Sequence, residues 1–166
     1  MVRKTLRRFP LPNFASGLER LALRGWLFFK ALRTPCAVGA MAIAEDGDGR
    51  VILVRHTYQA GWHLPGGGVG AGEPPAEAAL RELREEIGLL SSDPLELVGV
   101  FTRKFGIVTN LVALYRVRNV VFDFKPNREI KEVMRADPAA PPPGIVPGAR
   151  RRLAELLGHA ARSLYW

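Results

Sequence analysis

Cysteine is almost missing from this 166-residue chain. Cys36 stands alone, which excludes a disulfide framework and suits a reducing compartment. It opens the apolar run Cys36-Ala37-Val38-Gly39-Ala40-Met41-Ala42-Ile43-Ala44, so it is expected to be a buried core thiol rather than a nucleophile. Long hydrophobic runs are missing too. No stretch reaches the roughly 18 apolar residues that a membrane-spanning helix needs. No continuous apolar segment follows Arg3, Lys4, Arg7 and Arg8, as a secretory signal requires. Acids are absent before Glu19, as in organelle transit peptides, yet Ser16 is the only serine there and the transit reading has no further support. The expected location is the cytoplasm. Internal repeats and a second globular domain are absent as well.

What remains is a globular balance of 48% apolar and 24% charged residues, enough for one full core. The expected organisation is a basic, partly helical N-terminal extension over 1–34, packed on a domain over 35–166. Net charge is +8 and the isoelectric point about 10.4. The cations gather between Arg3 and Arg33 and in Arg150-Arg151-Arg152. Such a protein attracts phosphates, which suits a small nucleotide substrate, and the same charge suits RNA or an anionic membrane surface. Residues 20–33, RLALRGWLFFKALR, read as an amphipathic helix. Its expected place is against the domain or a second copy in a homodimer, with membrane-surface binding as the alternative.

The hydrophobic pattern predicts strands over 36–44 and 50–57, joined by the reversal Glu45-Asp46-Gly47-Asp48-Gly49. Further strands are predicted over 95–104 and 107–118, turning at Phe105-Gly106, and over 129–134. The proline-rich stretch 138–148 reads as a surface loop. Leu153, Leu156, Leu157 and Ala160 fall at helical spacing, which predicts an amphipathic helix from Arg150 to Ala161. Strands mixed with two or three helices argue for a one-domain α/β sandwich.

The run from Gly67 to Leu89, GGVGAGEPPAEAALRELREEIGL, carries the chemistry. Glu82, Glu85 and Glu86 stand at i, i+3 and i+4, neighbours on one face of a helix, where like charges repel. At about 100° per residue, Ala76, Ala79, Leu80, Leu83 and Ile87 fall within an arc of roughly 100°. Glu86 and Glu82 lie at the edge of that stripe, roughly 60° and 100° from Leu83. Carboxylates at a helix–body seam need partners, and hard cations such as Mg²⁺ or Mn²⁺ prefer carboxylate oxygen. Pro74 and Pro75 suit the first turn of this helix and Gly88 its left-handed end. The glycine-rich stretch from Leu64 to Gly72 lets backbone groups approach phosphate or metal closely.

This run resembles the Nudix box, G-x5-E-x7-R-E-U-x-E-E-x-G-U with U apolar, at every defined position: Gly67, Glu73, Arg81, Glu82, Leu83, Glu85, Glu86, Gly88 and Leu89. Gly61-Trp62-His63-Leu64-Pro65-Gly66-Gly67 looks like the W-x-L-P-G-G approach to that box. The resemblance implies a Nudix fold, a mixed central sheet between helices. It also implies Mg²⁺- or Mn²⁺-dependent hydrolysis of a diphosphate bond in a nucleoside diphosphate derivative, by water attack on phosphorus. Carried over by position, the metal ligands are Glu82, Glu85, Glu86 and the Gly67 carbonyl, while Arg81 and Glu73 hold loop against helix.

The general base stays open between a box glutamate, with Glu85 ahead of Glu82, and a later one. Of the later pair Glu129 and Glu132, Glu129 is preferred as base or extra ligand. For the substrate, Arg55, Trp62 and Gly66 are the leading candidates. Tyr58, Phe101 and Phe105 are alternative stacking rings and Arg103 and Lys104 alternative phosphate contacts. His56 and His63 flank the loop and read as structural. No second signature marks a particular substrate. A nucleotide- or RNA-binding Nudix domain without catalysis is the alternative, and the complete glutamate set favours the enzyme.

Overall fold

The computed structural model describes residues 17–33 and 35–166. Arg3, Lys4, Arg7 and Arg8 lie outside them. The chain divides into two compact units, Met1–Pro35 and Cys36–Trp166. In the first, Gly17–Arg33 forms helix α1. Among the described residues no helix is long and apolar enough to cross a membrane.

The second unit contains β1 (Cys36–Ala44), β2 (Val51–His56), β3 (Gly66–Gly68), α2 (Pro75–Ile87) and β4 (Leu89–Ser91). It continues with β5 (Glu96–Phe105), β6 (Val108–Val117), β7 (Val121–Phe122), β8 (Ile130–Ala136) and α3 (Pro147–Leu156). The main sheet is mixed, in the order β3-β1-β6-β5. Its centre is the parallel pair β1 and β6, with Ala40 opposite Ala113, and the outer pairs are antiparallel. β2 pairs with β8, and β4 with β7.

Alternation along β1 sorts the core into two faces. Ile43, with Met41 beside it, packs with Leu53, Phe101 and Leu114 and with Ala149 and Leu153 of α3. The intervening Ala40, Ala42 and Ala44 pack with Ala78, Ala79, Leu83 and Ile87 of α2. A strand presenting only methyl groups on one face lets a helix with its own alanines come close, which brings the glutamate side of α2 against β3. Ala42 is fully buried among Ile52, Val54, Leu83 and Ile87. Ala42→Leu is therefore expected to destabilise the domain by about 1–3 kcal/mol through overpacking. A thermal melt checks this, at roughly 2–4 °C per kcal/mol.

β1 and β2 are joined through the expected reversal, closed by the bridge Glu45–Val51 and by the Asp46 N–H donating to the Arg50 carbonyl (3.0 Å); beyond it β1 pairs with β3 and β6, and β2 with β8. Two expectations need correction. Cys36 is exposed, not a core thiol, because the core covers only the second half of β1 and its first three residues stand outside it. α3 runs from Pro147 to Leu156 rather than from Arg150 to Ala161. Proline suits its first turn, and Gly158 at φ +73° follows its end, so Ala160 never joins the apolar face. The chain then returns along β5, where the Thr102 N–H donates to the Leu164 carbonyl (2.9 Å) and the Trp166 N–H to the Thr102 carbonyl (3.0 Å).

Candidate active site

β3 fixes the glycine loop to the sheet, with Gly66 opposite Met41 and Gly67 opposite Ala40. Gly66 sits at φ +142°, and a β-carbon there would run into the Ala40 carbonyl. Only glycine brings the backbone this close, and the result is an N–H that donates to Glu86 Oε2 at 2.8 Å. At Gly67 a β-carbon would stand 2.6 Å from Glu82 Oε1, so a bare backbone is what lets the loop lie against that carboxylate.

The buried side of α2 is Ala78, Ala79, Glu82, Leu83, Glu86 and Ile87. Its centre lies on the glutamate side of Leu83 and leaves Leu80 half-buried. Glu82 and Glu86 are thus inside the buried face rather than at its edge, because β3 and the glycine loop cover the helix there. Gly88 ends the helix at φ +71°, as its position predicted, and its N–H donates to the Arg84 carbonyl at 3.1 Å.

Arg81 joins the pieces. Its Nε and Nη2 donate to the two oxygens of Glu73 (2.9 and 3.0 Å), and Nη2 also donates to the Gly68 carbonyl (2.9 Å). Nη1 donates to Glu82 Oε1 (2.7 Å) and, more weakly, to Glu85 Oε2 (3.3 Å). The Gly70 N–H donates to Glu73 Oε2 at 2.8 Å, closing the loop on itself. The Glu73 and Glu82 carboxylates hold the guanidinium above its ordinary value. These contacts tie the loop to the helix.

Glu86 is the anomalous group. Only 3% exposed, its carboxyl is pushed up to about 8, chiefly by burial. The Gly66 N–H opposes that rise, while Glu82, Glu129 and Glu85 add to it. Glu82, Glu85 and Glu129 all act on Glu86 through their charge, and Arg81 engages Glu82 and Glu85. Glu82 and Glu85 accept from Arg81 and Glu86 accepts from the Gly66 N–H, and among the described residues no three His, Cys, Asp or Glu side chains form a ready cation cage. The donor set nonetheless fits a hard divalent ion: carboxylate oxygens, mutually repelling, one of them pushed toward its neutral form chiefly by burial.

Glu129 reaches this neighbourhood through a residue that sequence reasoning missed. Asn127 Oδ1 accepts from the N–H groups of Glu129 (2.9 Å) and Ile130 (2.7 Å), and its Nδ2 donates to the Glu85 carbonyl (3.1 Å). The signal was present, since asparagine two residues before a turn position is an Asx-turn signature. Partial burial, then the charges of Glu129, Glu86 and Glu82, raise the hydroxyl of the largely exposed Tyr58. His56 and His63 stand edge to face with centroids 5.1 Å apart. Burial, then His63, push the His56 imidazole down, while Glu129 pulls it back.

Two nominated substrate residues are placed elsewhere. Trp62 is a core residue, 2% exposed, and the Arg55 guanidinium covers its ring at 4.2 Å. Arg55 also pairs with Glu132 at 3.1 Å. Neither is free for a substrate, and Glu132 is drawn away from the carboxylate cluster. Phe101 is equally buried, under Arg152 at 4.1 Å, and the side chain of Phe105 lies outside the described residues. Arg103 instead lines a recess of about 380 Å³ with Gln59, His63, Arg151 and Trp166. Met41 and Leu64, on the segments that flank Gly66, form its floor. No sequence signal could reveal it, because five separate segments build it.

Among curated relatives, an RNA pyrophosphohydrolase of Halorhodospira halophila is 49% identical over 51 residues, 31% of this chain and 28% of the relative. That of Xanthomonas campestris pv. campestris is 45% identical over 62 residues, 37% of this chain and 29% of the relative. The chain thus spans less than a third of the length of either. A solved MutT NUDIX hydrolase from Burkholderia pseudomallei superposes with a TM-score of 0.61 at 23% identity, covering 73% of this chain and 98% of that one. A MutT protein from Methanosarcina mazei Go1 gives 0.60 at 20%, covering 75% and 96%. At these identities the two structures speak for the fold. The family model of the NUDIX domain matches residues 35–156, well over half of the chain, and this chain belongs to the Nudix family.

Proposed function

We propose that this chain hydrolyses a diphosphate bond in a nucleoside diphosphate derivative, with Mg²⁺ or Mn²⁺ held by Glu82, Glu85, Glu86 and the Gly67 carbonyl. The observation that carries this reading is the Glu86 carboxyl, raised to about 8 chiefly by burial and further by the charges of Glu82, Glu129 and Glu85. A divalent cation at that point supplies neutralising charge for the diphosphate oxygens and acidifies water. Glu86 would hold the cation as the ionised carboxylate. Arg81 and Glu73 keep the glycine loop in register with α2. Glu129 takes the proton from the attacking water, with Glu85 as the alternative. Two facts favour Glu129 over its neighbours: Arg55 occupies Glu132, and Arg81 touches Glu85.

The recess beside the loop suits the group attached to the diphosphate. Trp166 offers a ring, and Arg103 and Arg151 offer charge to further phosphates. The RNA pyrophosphohydrolase relatives bring RNA into the substrate panel, beside sugar nucleotides, ADP-ribose and oxidised nucleoside triphosphates.

The test is phosphate or pyrophosphate release from that panel with each metal. Turnover of at least one member, abolished by chelation and by Glu86→Gln, is expected. Nucleotide binding without turnover of any member would leave only the non-catalytic reading. Asn127→Ala is expected to lower kcat/KM about tenfold with little change in thermal midpoint, since it frees the Glu129 loop without opening the core. Unchanged kinetics would remove Glu129 from the chemistry. Metal titrations of Glu129→Gln and Glu85→Gln then separate base from ligand, because coupled carboxylates share one pH profile.

A further inference from the structure

We infer that α1 is a peripheral membrane anchor, lying with its aromatic face in the surface of an anionic bilayer. The first observation is exposure. Leu21, Trp26, Phe28 and Phe29 are each between 52 and 69% exposed, four large apolar side chains within one helix of 17 residues. At about 100° per residue they fall within an arc of roughly 160°, the wide apolar face of a helix that lies in an interface. A cluster of this kind left in water marks an interaction site.

The second observation is charge. Residues 1–35 carry eight cations against one acid, Glu19, whereas residues 36–166 carry sixteen cations against fifteen acids. Almost the entire net charge of +8 therefore belongs to the segment that holds α1. In sequence the cations run from Arg3 to Arg33, a net positive segment that complements an anionic surface. Lys30 Nζ lies over the Trp26 ring at 5.0 Å and the Arg33 guanidinium over Phe29 at 4.3 Å. Aromatic bodies with cationic heads beside them are suited to the headgroup layer, where rings enter the acyl boundary and charges stay among lipid phosphates. An RNA strand would use the cations but leave Leu21 and Phe28 in water. An apolar face and a basic segment together supply the two signals that stable surface binding requires.

The test uses the full chain sedimented with vesicles of phosphatidylcholine alone or mixed equally with phosphatidylglycerol. Partitioning at least tenfold stronger onto the anionic vesicles is expected, falling as salt is raised. Phe28→Ser/Phe29→Ser is expected to lower it at least tenfold and Lys30→Glu/Arg33→Glu to abolish the preference for anionic lipid. Both variants should keep the wild-type thermal midpoint and their turnover in vesicle-free solution, which separates a failed anchor from a failed enzyme. No retention on anionic vesicles, or equal retention of the Phe28→Ser/Phe29→Ser variant, overturns the inference. Tight RNA binding that survives the loss of both phenylalanines and displaces the chain from vesicles would make the segment a nucleic-acid arm instead.

Discussion

Glu86→Gln is expected to lower turnover by about a thousandfold and, in the metal-free protein, to raise stability at pH 8 and above. The first effect follows from removing one anionic ligand from a site whose charge stabilisation is worth several kcal/mol, with each 1.36 kcal/mol a factor of ten. The second follows from linkage. The folded protein holds the Glu86 proton up to about pH 8, whereas an unfolded glutamate loses it near its ordinary value of 4.5. Between those values the folded state binds more protons, so stability falls as pH rises through the window and stays low above it. Glutamine cannot ionise and keeps its oxygen facing the Gly66 N–H, so the variant lacks this slope. The ceiling on the difference is about 5 kcal/mol at 1.36 kcal/mol per unit, and relaxation around the charge brings it to a few kcal/mol. Melts in chelator at pH 5 and pH 8.5 check it: the two proteins should agree at pH 5 and separate at pH 8.5. A variant no more stable than wild type at the higher pH would mean that Glu86 already has a satisfied charge.

Gly66→Ala is expected to cost about 3 kcal/mol or more in stability and at least a hundredfold in activity. Two penalties coincide there. The backbone at φ +142° is one that residues with a β-carbon rarely adopt, and the added carbon meets the Ala40 carbonyl and Met41 Cα, backbone atoms that cannot turn aside. The strand must back away from β1, and the N–H that holds Glu86 goes with it. Thermal melts and turnover measure the two losses. Full activity in a destabilised variant would show that the Gly66 contact to Glu86 has no part in the site.

How much of this was legible depended on whether the information was local. The box helix, its proline start, its glycine end and the Arg81–Glu73 link are set by residues within one short stretch, and there the pattern and the structure agree. The wheel misjudged the burial of Glu82 and Glu86, since apolar stripes see side-chain type but not the glycine loop that covers those carboxylates. Trp62 and Arg55 looked free because each is amphipathic, and only the fold shows that they cover each other. The reversal between β1 and β2 was legible from its Asp-Gly pairs, whereas pairing beyond it is decided by which edges other strands already occupy. The recess at Arg103, Arg151 and Trp166 depends on segments far apart in sequence, beyond any local signal.

The most direct test of the central claim is proton counting while Mn²⁺ or Mg²⁺ is titrated into the metal-free protein at pH 7, by calorimetry in two buffers of different ionisation enthalpy. Entry of the cation among Glu82, Glu85 and Glu86 is expected to release about one proton in the wild type, the one held by Glu86, and none in Glu86→Gln. Cation binding with no proton released, or with equal release from both proteins, would place the metal away from this carboxylate and contradict the account.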